Sequence, residues 1–225
     1  PSGGALDGNE ADTVDIVEGT TGGPFKIQED GTPVVDENYA SSAELTSDDP
    51  QVVEIKLNPD AKWEDGTPIT AADYIAYWKA QNGSNKEFTP ASTAGWEDIS
   101  SVEQGADEFD VKITFSSIYA DWQGLFTGGL LPASISSDPA AYNDGYRTKA
   151  VPSSGPFKIS KIDTTGQVVT LERNPQWWGA TPKLETVLFR AVSQDQQGAS
   201  FANSELDALY ISANADLYQT AKTRS

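Results

Sequence analysis

The chain has 225 residues, with 15 Lys and Arg against 34 Asp and Glu, for a formal net charge of −19. That charge repels phosphate backbones and anionic membrane surfaces, so nucleic acid is set aside as a partner. His, Cys and Met are all absent; this excludes imidazole bases, thiol nucleophiles and soft metal sites, leaves only all-oxygen metal sites open, and gives no reason to expect a cofactor.

Residues 1–12 are Gly-rich, acidic and aperiodic, and read as a flexible tail. Val14 and Ile16 in "TVDIVEGTTGG" suggest a short strand followed by a loop. Asp30-Gly31 signals a turn. In "QVVEIKL", Val53, Ile55 and Leu57 alternate with Glu54 and Lys56, the pattern of a half-buried strand. "FDVKITF" repeats it with Phe109, Val111, Ile113 and Phe115. The two are expected in one small sheet.

Between them, "LNPDAKWEDGTPITAADYIAYWKAQNG" reads as a turn and a capped helix. Asp65-Gly66 makes the turn and Pro68 stiffens the approach. Thr70 and Asp73 have capping-box spacing, and Asn82-Gly83 ends the helix, placed at 70–82. Ala71, Tyr74, Ile75 and Trp78 fall on one helix face, expected to cover the sheet.

Further on, "GPFKISKI" and "QVVTLERN" flank Asp163-Thr164-Thr165-Gly166 as a hairpin. "ETVLFRAV" is another strand. "QDQQGASFANSELDALYI" reads as a helix running towards a strand, weakened by Gly198. GPFKI occurs at 23–27 and at 155–159, but the similarity stops there, so no internal repeat is inferred.

Two kinds of residue could carry function. Acidic pairs (Glu64-Asp65, Glu97-Asp98, Asp107-Glu108 with Asp110) could pose as glycosidase carboxylates, but each sits at a turn signal and reads as a solvated loop. Aromatics in loop-like runs could stack on a ligand. These are Trp96, then Tyr119 and Trp122, followed by Thr127-Gly128-Gly129, where the glycines permit close backbone approach. The competing reading packs Tyr119 and Trp122 on a short helix.

"KLNPDAKWEDGTPITAADYIAYW" resembles the signature of the family 5 extracellular solute-binding proteins of ABC importers, the oligopeptide- and dipeptide-binding type. Trp63, Asp65, Gly66, Pro68, Thr70, Ala71 and Asp73 carry the match, with Trp78 in the following helix. A second block, "SSGPFKISKIDTTGQVVTLERNPQWWGATPKLETVLFRAV", is similar through Gly155, Pro156, Phe157, Arg173, Asn174, Pro175 and Trp178. "FANSELDAL" resembles a short family helix, with Ser204 in place of the usual Gly. Together the blocks cover most of residues 24–210. The family's usual opening is not recognisable in "TVDIVEGTTGG", and family members are considerably longer.

The resemblance implies a mixed α/β (α+β) fold of the periplasmic-binding-protein type II, with this chain as the N-terminal part of a longer protein. Residues 13–150 would form the small inserted lobe, its first strand belonging to the other lobe, and 151–225 part of the permease-contacting lobe. It implies a monomeric, non-enzymatic substrate-binding subunit that captures a peptide or other small solute and delivers it to a membrane permease. Localisation would be extracellular, cell-surface or periplasmic, with a lipid anchor. The alternative from another class is a secreted carbohydrate-active enzyme or carbohydrate-binding fragment.

Overall fold

The computed structural model describes residues 11–146, 149–209 and 215–222. The chain divides into two compact units, one of residues 1–162 and 169–188, the other of 163–168 and 189–225.

The first unit is built on a four-stranded antiparallel sheet. Strands β1 (Phe25–Ile27) and β2 (Pro33–Val35) form a small ribbon ahead of it. The sheet comprises β3 (Ala40–Asp48), β4 (Gln51–Leu57), β5 (Ile99–Gln104) and β6 (Asp110–Phe115), in the order β3-β4-β6-β5. β4 and β6 pair in register through Val53↔Ile113 and Ile55↔Val111, as their shared alternation predicts. Val53, Ile55, Leu57, Val111, Ile113 and Phe115 are all buried. Each such side chain contributes about 1.5–3 kcal/mol by leaving water. Gln51 also points inward; its amide answers the Tyr119 backbone twice, accepting from N at 2.7 Å and donating to O at 3.1 Å. A buried amide satisfied in this way pins the loop after β6.

Helix α2 (Ala71–Gln81) follows the turn the sequence predicts. Asp65 Oδ1 accepts from Thr67 N at 2.9 Å and Oγ1 at 2.7 Å, and Gly66 takes φ 88°. Trp63 is 2% exposed beneath this turn. The helix face departs from the expected one. Ala71, Asp73, Tyr74, Tyr77, Ala80 and Gln81 are buried, whereas Ile75 and Trp78 are only partly so. The core follows the small and tyrosyl side chains because Asp73 is drawn inward: its carboxylate accepts from Thr70 N at 2.9 Å and Ala133 N at 2.7 Å.

The segment read as a strand at 14–16 is instead helical. Helix α1 spans Ala11–Thr20, so the expected tail keeps only residues 1–10, which lie outside the described residues. Thr20 Oγ1 donates to Ile16 O at 2.9 Å, and Ile16 and Thr20 are buried. Tertiary burial thus overrides the β preference of the branched residues.

A 3-10 turn (Trp122–Phe126) and short helices α3 (Ala133–Ser136) and α4 (Pro139–Asn143) complete the layer over the sheet. β7 (Phe157–Asp163), β8 (Val168–Arg173) and β9 (Thr186–Arg190) form a second sheet in that order. Arg173 Nε and Nη2 donate to the carbonyls of Leu184 and Lys183, at 2.9 and 3.0 Å. Asn174 Nδ2 donates to Gly155 O at 2.9 Å, tying the "NPQWW" turn to the start of β7.

The second unit contains the β7–β8 turn, where Gly166 N donates to Asp163 Oδ1 at 2.7 Å. It also contains helices α5 (Gln194–Ala202) and α6 (Ala215–Lys222). Of the strand expected at its end, residues 210 and 211 fall outside the described residues. No helix among the described residues is long and apolar enough to cross a membrane.

Candidate functional site: a glycine-walled cavity

A cavity of about 730 Å³ opens on the first unit. Its lining comes from the end of α1, the β1–β2 ribbon, Asn38 and Tyr39 before β3, the loop after the 3-10 turn, and the "NPQWW" turn. Two copies of one tripeptide contribute, Thr21-Gly22-Gly23 and Thr127-Gly128-Gly129. They lie side by side: a Cβ placed on Gly23 would come within 3.0 Å of Gly128 N and 2.4 Å of Phe126 O. A Cβ on Gly22 would strike the Tyr39 ring at 2.3 Å, so a bare backbone is required there. Gly129 takes φ 79°, a conformation side chains resist.

Among the described residues, the amide N–H groups of Gly22, Gly23, Gly128 and Gly129 donate to no acceptor. Backbone polar groups seek partners. The four glycines line a space large enough for a small solute.

Tyr39 supplies an aromatic part of the lining. Its hydroxyl donates to Ser154 O at 2.9 Å, and burial, with the nearby Asp36 carboxylate, pushes its pKa well above the usual tyrosine value. Trp177 stands beside it, ring centroids 5.9 Å apart. Glu18, Lys26 and Asp36 are the charged members of the lining, with Lys26 Nζ 4.0 Å from Asp36 Oδ1.

The six residues singled out as ligand candidates divide evenly. Thr127, Gly128 and Gly129 line the cavity. Trp96 sits behind the glycines, packed edge-on against Tyr77 at 5.3 Å and Phe126 at 5.7 Å. Trp122 is 7% exposed and packs edge-on against Phe25 at 5.3 Å. Tyr119 stacks on Phe115, and with Trp122 borders a separate cleft of about 130 Å³. The packing reading of Tyr119 and Trp122 therefore describes their surroundings, though the short helix is a 3-10 turn that Trp122 opens and Tyr119 precedes.

Sequence reasoning passed over Gly22, Gly23 and Tyr39, and it reads Trp177 with Trp178 as packing at the "NPQWW" turn, whereas Trp177 also lines the cavity. The signal was there for the glycines: the tripeptide at 127–129 recurs at 21–23. Nothing local marks Tyr39, which meets Trp177 only through the fold.

The acidic pairs have structural partners. Glu64 Oε2 accepts from Ser153 N at 2.9 Å, Asp98 Oδ1 from Ser117 Oγ at 2.8 Å, and Asp107 Oδ1 from Phe109 N at 2.8 Å. The Asp65 carboxyl lies below the usual range because the Thr67 side chain and amide donate to it.

The mixed α/β frame that carries this cavity is the periplasmic-binding-protein type II fold. Residues 35–224 match the model of the bacterial extracellular solute-binding proteins, family 5 (middle region), and the chain belongs to that family. It is 39% identical over 221 residues to the oligopeptide-binding protein OppA of Mycobacterium tuberculosis, covering 97% of this chain and 37% of the relative. It is 31% identical over 157 residues to a probable monoacyl phosphatidylinositol tetramannoside-binding protein, LpqW, of the same species, covering 69% of this chain and 24% of that one. Among solved structures, the periplasmic EDTA-binding protein EppA aligns with a TM-score of 0.91 at 34% identity, covering 99% of this chain and 43% of that one. The Bacillus subtilis oligopeptide-binding protein AppA, in complex with a nonapeptide, shares the fold with a TM-score of 0.81 at 21% identity, over 95% of this chain and 42% of that one. The chain thus spans about 37% of the length of the oligopeptide-binding relatives it matches.

Proposed function

We propose that this chain forms part of the substrate-binding subunit of an ABC importer and that its cavity holds an extended peptide for delivery to a membrane permease. The observation that carries the reading is the pair of Thr-Gly-Gly segments, whose four glycine amides stand without acceptors along a cavity of about 730 Å³. An extended peptide offers carbonyls at regular spacing, and main-chain hydrogen bonds of this kind give affinity while leaving side chains to the surrounding pockets. The kinship to OppA supports the peptide class, and the named ligands of LpqW and EppA show that relatives differ in what they bind.

In this reading the protein is a monomeric, extracellular, membrane-anchored binding protein. Residues 13–150 belong to a small lobe and 151–225 to part of a main lobe. The end of α1 goes with the main lobe, a grouping supported by the bonds from Ser153 Oγ and Ser154 N to Thr20 O, at 2.7 and 3.0 Å. The ligand acts by shifting the balance between open and closed arrangements of such lobes.

The test is isothermal calorimetry of the full product of the gene with mixed tri- to pentapeptides. Saturable heat with peptides, and none with oligosaccharides of similar size, is expected. Binding of sugars and not of peptides would overturn the reading.

A further inference from the structure

Trp177 is fixed from several sides yet only partly buried at the cavity. Its indole N–H donates to Ala180 O at 3.0 Å, and its ring packs on Trp178 at 4.6 Å and Tyr39 at 5.9 Å. Gly179 makes room for it: a Cβ there would approach Trp177 Cζ2 to 2.5 Å and Asn38 Oδ1 to 2.7 Å. An oriented ring with free surface on a cavity is a stacking platform.

Asp36 belongs to the same lining. Its Oδ1 accepts from Asn38 N at 3.0 Å and Nδ2 at 2.8 Å and faces Lys26 Nζ at 4.0 Å. Its Oδ2 has no partner among the described residues. The Lys26 side chain is 58% exposed, so its contact with Asp36 is weak and readily displaced.

Resting on the peptide reading above, we propose that Trp177 and Asp36 together select a flat, positively charged side chain, an arginine of the bound peptide. The guanidinium stacks on the indole, and its N–H fork meets Asp36 Oδ2. A neutral aromatic side chain would stack but leave the carboxylate unanswered. Lysine would answer the carboxylate but present no flat surface. The net charge of −19 draws cations towards the molecule without choosing among them.

The experiment is calorimetry of the full gene product with Ala-Ala-Arg-Ala-Ala and with its citrulline and phenylalanine counterparts. Citrulline keeps the planar shape and loses the charge. The arginine peptide should bind about tenfold tighter than the citrulline one, the scale of a desolvated charge contact. Asp36→Asn keeps an oxygen for Asn38 and should bring that ratio close to one. Trp177→Leu should weaken both peptides by roughly tenfold, the value of a stacked ring. The arginine-to-citrulline ratio is internal to each protein, so partial loss of folding does not imitate it. For Trp177→Leu the binding stoichiometry in the same titration reports the folded fraction, to which the affinity is referred. Equal affinity for arginine and citrulline in the unaltered protein, or a preference for phenylalanine, overturns the arginine proposal while the peptide reading stands. Silence from all three peptides and from the mixture removes both.

Discussion

The Asp73 carboxylate accepts the amide of Ala133 at 2.7 Å, joining the first turn of α2 to the start of α3 across sixty residues of sequence. Its other oxygen accepts from Thr70 N at 2.9 Å. One side chain therefore caps a helix and locks a tertiary contact, and it does so at 6% exposure.

Asp73→Ala should accordingly cost about 2–3 kcal/mol, since it strands two backbone donors in a buried setting. Thr70→Ala should cost about 1 kcal/mol or less, because the Asp73 amide also reaches the Thr70 carbonyl, at 3.0 Å. This reverses the order that the capping pattern alone suggests. Urea denaturation of both single variants and the double variant measures it; the two sites share a bond, so their losses should not add.

The pH response follows from the same site. Burial raises the Asp73 pKa above the usual carboxylate value, outweighing the donors from Thr70 and Ala133. A folded pKa above the unfolded one means that the native state holds the proton more tightly. That share of stability is fully present below the unfolded value of 3.8 and is lost as pH rises through the raised native value. The stability difference between the protein and Asp73→Asn should therefore shrink as pH rises across this window. Paired urea titrations from about pH 3.5 to 7 follow it; a difference that grows with pH would mean the donors outweigh burial.

Trp122→Ala should act through the core. The ring is 7% exposed against Phe25, so its loss should cost about 3–5 kcal/mol. Ligand affinity, measured where the variant remains folded, should change little, because Trp122 lies outside the cavity lining. Thermal melts and calorimetry on the same samples separate the two effects.

Legibility in the sequence tracked local pattern. β4 and β6 alternate cleanly because both bury one face, and α2 announces itself through Pro68, Thr70 and Asp73. β3 and β5 went unread because each buries little: only Ala40 and Ala43 in β3, and only Ile99 and Val102 in β5. Register shifts between Ala40 and Ser42 and between Ile99 and Ser101 blur the period further. α1 was misread because Val14, Ile16 and Val17 favour strands locally. At the site, Gly128 and Gly129 were legible as close-approach positions, while Gly22 and Gly23 were read only as loop. Tyr39 and Trp177 are 138 positions apart in the numbering and share a wall only through ring packing at 5.9 Å. No window along the chain contains both.

The central claim is that the two Thr-Gly-Gly segments hold the ligand's backbone. Hydrogen–deuterium exchange of the full gene product, read on fragments covering residues 20–25 and 126–131, tests it most directly. Exchange at Gly22, Gly23, Gly128 and Gly129 should be fast in the free protein and slow by roughly tenfold or more once a saturating peptide occupies the cavity, as amides that gain acceptors become protected. Strand β4, already paired on both sides, should be unchanged. Peptide binding that leaves both glycine segments exchanging at the free rate would contradict the claim.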